Sequence, residues 1–407
     1  MKKLLTILLV LLYLASNASA ETIEIGTVFE LSGKDKATAQ EAMNGAILAV
    51  QKLNGAASGL TVKLDTQSTS AIPEDIMKSV GAFGQNPNLQ AVTGLISDDA
   101  ALTAAPALQA AGVPFLCTGA QADGLAQSVG DYVFTLAVPD IRVGQLLADF
   151  AANTIQTDHI AVIRSDLSDS CARQADSFVR RYKQNGGTIM AEMRITESNA
   201  NLNFITDKLQ ELVPPPPSNS TKVEDEVGVS NFVDSGASII TEAREAVPAP
   251  PQVESLIIFA PPEPATQILG QLKQKNTVYR IIAGSSFDTV PMQKTIKEWP
   301  DTVFYAAQAS LTREDTLVQT FVKAYTDLFG SAPVTGYSAL GFDSIMLLAE
   351  TAKQHGAGKN EIRSGLPEIQ NFASVSGQIS FQGRAAHKPL YIIQSISGQI
   401  SLAAGLD

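Results

Sequence analysis

The chain is poor in cysteine, in histidine, in positive charge and in long apolar runs, and each shortage excludes something. Two cysteines, Cys117 and Cys171, occur in 407 residues, too few to hold a zinc ion alone. The three histidines, His159, His355 and His387, fit no metal-ligand spacing. No GxSxG, HExxH or P-loop signature is present, and no cysteine lies close in sequence to a histidine. No enzyme activity, cofactor or metal is therefore expected. Lys and Arg number 29 against 41 Asp and Glu, a formal charge of −12, which disfavours nucleic acid and anionic membranes as partners. Beyond residue 20 no segment reaches the roughly 18 consecutive apolar residues that a membrane span requires, so no membrane insertion of the mature chain is expected.

What is present begins with a leader. Lys2 and Lys3 precede an almost wholly apolar stretch, 4–14, and Ala18-Ser19-Ala20 stands before Glu21. A charged start, a short apolar centre and small residues at the cut describe a secretory signal peptide over 1–20. The mature chain is expected to begin near Glu21 as an exported, soluble, periplasmic protein. Losing Lys2 and Lys3 takes its formal charge to −14.

The segment 89–121 gives the fold class. The apolar run 90–96 ends at Ser97-Asp98-Asp99, which are helix-starting residues. The Ala/Leu-rich stretch 100–111 follows, with a kink allowed at Pro106. Gly112 closes it before the second apolar run, 113–117. Strand, helix and strand in this order make a βαβ unit, hence an α/β fold with parallel sheets covered by helices. In such sheets the loops beyond the carboxyl ends of the strands line the ligand site. The loops beginning at Leu95 and Thr118 should therefore share one rim.

The same rhythm runs through the chain. Strands are expected at 22–28, 60–65, 131–137, 159–164, 188–195, 253–259, 279–283, 302–307, 376–381, 390–396 and 399–402. Helices are expected at 34–54, 73–85, 142–154, 171–185, 202–212, 264–275, 315–329 and within 333–355. The interruption is 214–252, a mostly polar stretch between two proline clusters. It reads as an insertion looped out of the second α/β unit, either a solvated loop or a partner-docking arm, with one weak helix near 238–247.

Several ordered pieces carry a resemblance. They are Leu31-Ser32-Gly33 followed by Gly45, then Gly94, Gly112-Val113-Pro114, Tyr132-Val133-Phe134 with Pro139-Asp140, Pro333 with Gly341-Phe342-Asp343, and the stretch 376–381. Together they resemble the branched-chain amino acid (Leu/Ile/Val-binding) type of periplasmic solute-binding protein. The resemblance implies a type I periplasmic-binding fold: two Rossmann-like lobes with parallel central sheets, joined by three crossovers and closing on a ligand. It places the crossovers near 138–140, 304–308 and 377–381. Lobe one is then 21–138 plus 309–376, and lobe two is 139–308 plus 377–407. A small-molecule ligand and an inner-membrane ABC permease are the implied partners.

By the same resemblance the ligand contacts fall at Thr38, Ser97, Asp98, Gly119, Gln121, Ser170, Pro261, Ser285 and Ser286. These positions depart from an amino-acid binder. Asp98, flanked by Asp99, stands where a ligand carboxylate would bind at a helix start, and two acids there repel it. Ser285 and Ser286 stand where an acid would hold the ligand's ammonium, with Asp288 just beyond. A polar, neutral or cationic ligand is expected rather than a free amino acid. The alternative is an envelope partner-binding or regulatory module of the same fold, similar to penicillin-binding-protein activators, which delivers no transport substrate. Cys117 and Cys171 fall at the cleft side of different lobes. They stand either as a disulfide that ties closure to redox state or as two separate buried thiols.

Overall fold

The structure, a computed structural model, describes residues 21–56, 59–199, 201–212 and 252–407. The expected leader (1–20) and nearly all of the proline-flanked insertion (214–252) lie outside them. Strands run β1 (Glu21–Glu30), β2 (Leu60–Thr69), β3 (Leu89–Gly94), β4 (Phe115–Cys117), β5 (Val133–Thr135), β6 (His159–Ser165), β7 (Thr188–Ile195), β8 (Ser255–Phe259), β9 (Arg280–Ala283), β10 (Val303–Ala307), β11 (Phe372–Ser374), β12 (Gly377–Gln382), β13 (Ala385–His387), β14 (Leu390–Ile396) and β15 (Gln399–Leu406). Helices are α1 (Lys36–Gly55), α2 (Pro73–Gly84), α3 (Asp98–Ala110), α4 (Leu125–Val129), α5 (Asp140–Asp149), α6 (Asp169–Gln184), α7 (Asn203–Glu211), α8 (Pro262–Gln274), α9 (Val290–Glu298), α10 (Thr316–Phe329), α11 (Tyr337–His355) and α12 (Lys359–Gly365).

The strands form two sheets. The first has the order β11-β12-β13-β5-β4-β3-β1-β2 and the second β15-β14-β10-β9-β8-β6-β7. The centre of each is parallel and the late strands add antiparallel edges. Central strands such as β3 and β8 are buried on both faces, so they read as continuous apolar runs rather than alternations. Apolar clusters cover both faces of each sheet: Ile25, Ala91 and Leu116 against α1 and α11 on one side of the first sheet, Val28, Val92 and Phe115 against α2 and α3 on the other.

Helices α1 and α11 approach closely because glycine faces backbone at their crossing. A Cβ on Gly45 would stand 1.9 Å from the Ser338 carbonyl oxygen, and one on Gly341 would stand 1.8 Å from that of Ala42.

Most expected elements are present with shifted ends. β2 continues to Thr69 and β15 to Leu406, whereas β5 covers only Val133–Thr135. α5 starts at Asp140 and its extension, Phe150–Thr154, is wound as a π-helix. α3 runs through Pro106. α4, α9, α12, β11 and β13 are additional.

The third crossover lies elsewhere than expected. Residues 377–381 belong to β12, inside the first sheet, and β13 pairs with β5. The chain returns to the second sheet only after Lys388-Pro389, at β14. Lobe one therefore takes 21–138 and about 309–387, and lobe two 139–308 and 388–407. The physical reason is local: β12 turns back on itself through Gly383, φ +64°, into an antiparallel hairpin with β13, and this hairpin completes the edge of lobe one.

The three crossovers are bound together at Gln308. Its side chain accepts from the Val138 amide (2.9 Å) and donates to the Val138 carbonyl (3.2 Å), while its own carbonyl accepts from the Lys388 ammonium group. Lys388 is buried, and burial pulls its pKa down to about 7.

Candidate ligand cleft

The carboxyl ends of both sheets face a cleft of about 320 Å³. Lobe one contributes the turn after β1 with the start of α1, the turn after β3 with the start of α3, the turn after β4, and Tyr337 at the start of α11. Lobe two contributes the loop from β6 into α6, the start of α8, and the turn after β9. All nine residues singled out in the sequence, Thr38, Ser97, Asp98, Gly119, Gln121, Ser170, Pro261, Ser285 and Ser286, line this one space. Gly119 carries no side chain because the Tyr337 ring lies against it; a Cβ there would stand 2.7 Å from the ring.

The wall is acidic. Asp35, Asp98, Asp99, Asp166 and Asp169 line it together with Lys34; Asp98 is paired with Arg173 and Asp166 with Arg194 (3.2 Å). Asp35 Oδ2 is buried and no donor among the described residues reaches it. Burial pushes the Asp35 carboxyl above its ordinary value.

The hydroxyls are directed in a consistent way. Ser97 Oγ donates to Glu30 (2.8 Å), Ser170 Oγ to Asp140 (2.7 Å) and Ser286 Oγ to the Ala260 carbonyl (2.8 Å). Each proton is engaged with the protein, so these three oxygens can only accept from a ligand. Thr38 Oγ1 instead accepts from the Val290 amide (3.1 Å) of lobe two, and Ser285 Oγ accepts from Gln174 (2.6 Å). These two, with Tyr337, keep a proton to offer.

Backbone donors at the rim are also engaged. Glu30, fully buried at the end of β1, accepts from the Ile96 amide (3.1 Å) and the Ser97 amide (2.9 Å) as well as the Ser97 hydroxyl. Asp98 Oδ1 accepts from the amides of Gln121 (2.7 Å) and Ala122 (3.0 Å).

Behind the cleft, a charged cluster joins the lobes. Arg173 on α6 donates through Nε (3.0 Å) and Nη2 (2.9 Å) to Asp140 Oδ2, and its Nη2 also bonds Asp98 Oδ2 of lobe one. Gln174 donates to Asp140 Oδ1 (2.7 Å), and its own carbonyl accepts from the Ser285 amide (3.1 Å). Asp140 is fully buried; burial, then the charge of Asp98, push its pKa up to about 8. Burial likewise raises Asp98, offset by its amide donors and Arg173. Burial works against the charge of Arg173, but Asp140, Asp98 and Asp123 (3.9 Å) around the guanidinium raise its pKa. Burial outweighs the ion pair on the two carboxylates and raises them, whereas on Arg173 the surrounding acids outweigh burial.

Sequence reasoning missed Glu30, Asp35, Asp140, Arg173, Gln174 and Tyr337. A signal existed for two of them. Arg173 and Gln174 follow Ser170 by three and four residues, the spacing that puts side chains on one helix face.

The cysteines are not bonded to each other. Both are free and buried, Cys117 in the lobe-one core and Cys171 in the lobe-two core. Burial raises their thiols to about 12 and about 11, where they behave as small apolar residues. Among the described residues no cluster of His, Cys, Asp and Glu suits a metal, and no helix is long and apolar enough to cross a membrane.

The family model described as periplasmic binding protein matches residues 22–399. A search of curated proteins returned no match. Among solved structures, the chain is similar to the branched-chain amino acid transporter substrate-binding protein LivJ of Streptococcus pneumoniae in complex with isoleucine. The TM-score is 0.76 at 21% identity, covering 95% of this chain and 99% of that one. It is also similar to the leucine-binding protein LivK of Thermotoga maritima, with TM-score 0.75 and 15% identity over 95% and 99% of the two chains. A third is a solute-binding protein of Rhodopseudomonas palustris in complex with benzoate, with TM-score 0.73 and 13% identity over 94% and 96%. With the family model spanning residues 22–399, the protein belongs to the periplasmic binding protein family.

Proposed function

We propose that this protein is an exported solute-binding protein that holds a small polar ligand between its two lobes and delivers it to an ABC permease of the inner membrane. It carries out no catalysis of its own. Family membership and similarity to LivJ and LivK support capture as the activity. The chemistry of the wall supports a ligand different from isoleucine or leucine. The observation that carries this reading is the direction of the wall's hydrogen bonds. Ser97, Ser170 and Ser286 present lone pairs, Asp35, Asp99 and Asp169 add acceptors, and Asp35 Oδ2 lacks a donor among the described residues. The complementary ligand brings donors, as amines, amides or hydroxyls, and is neutral or cationic. Asp35 and Asp99 face its positive end, and Thr38, Ser285 and Tyr337 meet its acceptors.

A thermal-shift screen of the mature protein against amines, amides, nucleosides, sugars, amino acids and short peptidoglycan fragments tests this. A ligand at 100 times its dissociation constant adds about 2.7 kcal/mol, an easily read shift. The expected result is stabilisation by neutral or cationic molecules and none by carboxylates. Stabilisation by leucine or valine overturns the ligand assignment. Silence across the panel favours a partner-binding module of the envelope.

A further inference from the structure

We propose that Glu30 sets the charge of the ligand this cleft accepts: from inside lobe one its carboxylate occupies the Ile96 and Ser97 donors that an anionic ligand group would otherwise take. The inference rests on the capture reading above and adds a specificity-determining residue to it.

Backbone amides at the end of a strand, where the chain turns into a helix, are strong anion receptors, because several donors converge and the helix dipole adds positive potential. Here two such amides and the Ser97 hydroxyl point at one buried carboxylate, at 2.8–3.1 Å. These donors offset part of the cost of burying Glu30, which still raises its carboxyl above the ordinary value. The backbone is bent to reach it. Leu95, immediately before the two amides, has φ +56°, a conformation disfavoured for a side chain with a Cβ.

A second observation points the same way on the neighbouring strand. Asp98 fills the amides of Gln121 and Ala122. Both donor groups at the lobe-one rim are therefore held by the protein's own carboxylates, while Ile96, Ser97 and Gln121 still line the cleft. An incoming carboxylate finds the Ile96, Ser97, Gln121 and Ala122 amides already taken and meets Asp98 and Asp99 beside them. A neutral or cationic molecule meets no such obstacle.

Chemical rescue tests the seat without knowledge of the natural ligand. Glu30→Ala leaves the three donors unpaired and a space the size of a carboxylate. Sodium formate should raise the Tm of this variant by at least about 2 °C over sodium chloride of equal ionic strength, with no such difference in the wild type. Equal effects of formate and chloride on the variant overturn the proposal, as does an equal formate effect on the wild type. Because Glu30→Ala can fail to fold, Glu30→Gln is screened against the same panel. With the buried negative charge gone, the panel's carboxylate members should stabilise that variant by a shift of at least about 2 °C while leaving the wild type unmoved, and an unchanged response overturns the proposal. Failure of the capture reading looks different: no neutral or cationic molecule then stabilises the wild type, whatever formate does to Glu30→Ala.

Discussion

Arg173→Met removes the cation that joins the lobes while keeping the aliphatic stem. In the wild type the guanidinium makes two bonds to Asp140 Oδ2, at 3.0 and 2.9 Å, and one to Asp98. Asp140 is fully buried and, among the described residues, keeps Ser170 and Gln174 as donors once Arg173 is gone. Removing one partner of a buried ion pair costs about 3–5 kcal/mol. Arg173 is 29% exposed, and solvent takes up part of the loss, so about 2–3 kcal/mol is expected at pH 8.5. The loss should shrink at lower pH. Arg173 lowers the pKa of both Asp98 and Asp140, so its removal raises them further. The native variant then binds more protons than the native wild type across the neutral range. By linkage its stability falls more steeply as pH rises, and it lies closest to the wild type near pH 5–6, where protonation has relieved the unpaired acids. Urea unfolding at pH 5.5, 7 and 8.5 reads this directly. A loss under about 0.5 kcal/mol at pH 8.5, or one independent of pH, would refute the reasoning.

Three further outcomes are expected. Asp35→Asn combined with Asp99→Asn should weaken the best cationic ligand of the panel about tenfold and flatten the salt dependence of its binding, read by calorimetry at two ionic strengths. Gly341→Ala places a Cβ 1.8 Å from a backbone oxygen of α1, so α1 and α11 must separate. Overpacking against backbone should cost about 3 kcal/mol in urea unfolding. Lys388 titrates near 7 in the native state because burial disfavours its charge, against an ordinary value of about 10.4. Between these values the unfolded chain binds the extra proton, so this residue makes stability rise with pH. The wild type should therefore gain on Lys388→Met by up to about 1.4 kcal/mol per pH unit from pH 7 to 9, measured by the same unfolding assay.

The cleft was legible because its position follows from topology. Ser97, Gly119, Ser170, Pro261 and Ser285 each follow a strand of a parallel sheet or start the next helix, and a βαβ reading puts such residues on one rim. Glu30 was not legible. In sequence it ends a strand and starts a turn, and only the fold shows that its carboxylate reaches the turn after β3. Arg173 and Asp140 meet between the starts of α6 and α5, a contact between positions 33 apart that no local pattern encodes. The third crossover was misplaced for a related reason. β12 alternates as any half-buried strand does, and the choice of sheet was made by pairing with β13 and through it with β5. Of the two readings of the cysteines, the structure has the separate buried thiols, each packed in its own lobe's core.

The most direct test of the central claim is native mass spectrometry of the protein purified from its exporting cells without denaturation. The bound molecule is then released and its composition read. The account predicts a small polar ligand that carries donors, is neutral or cationic, and has no free carboxylate. A branched-chain amino acid bound one to one would contradict it.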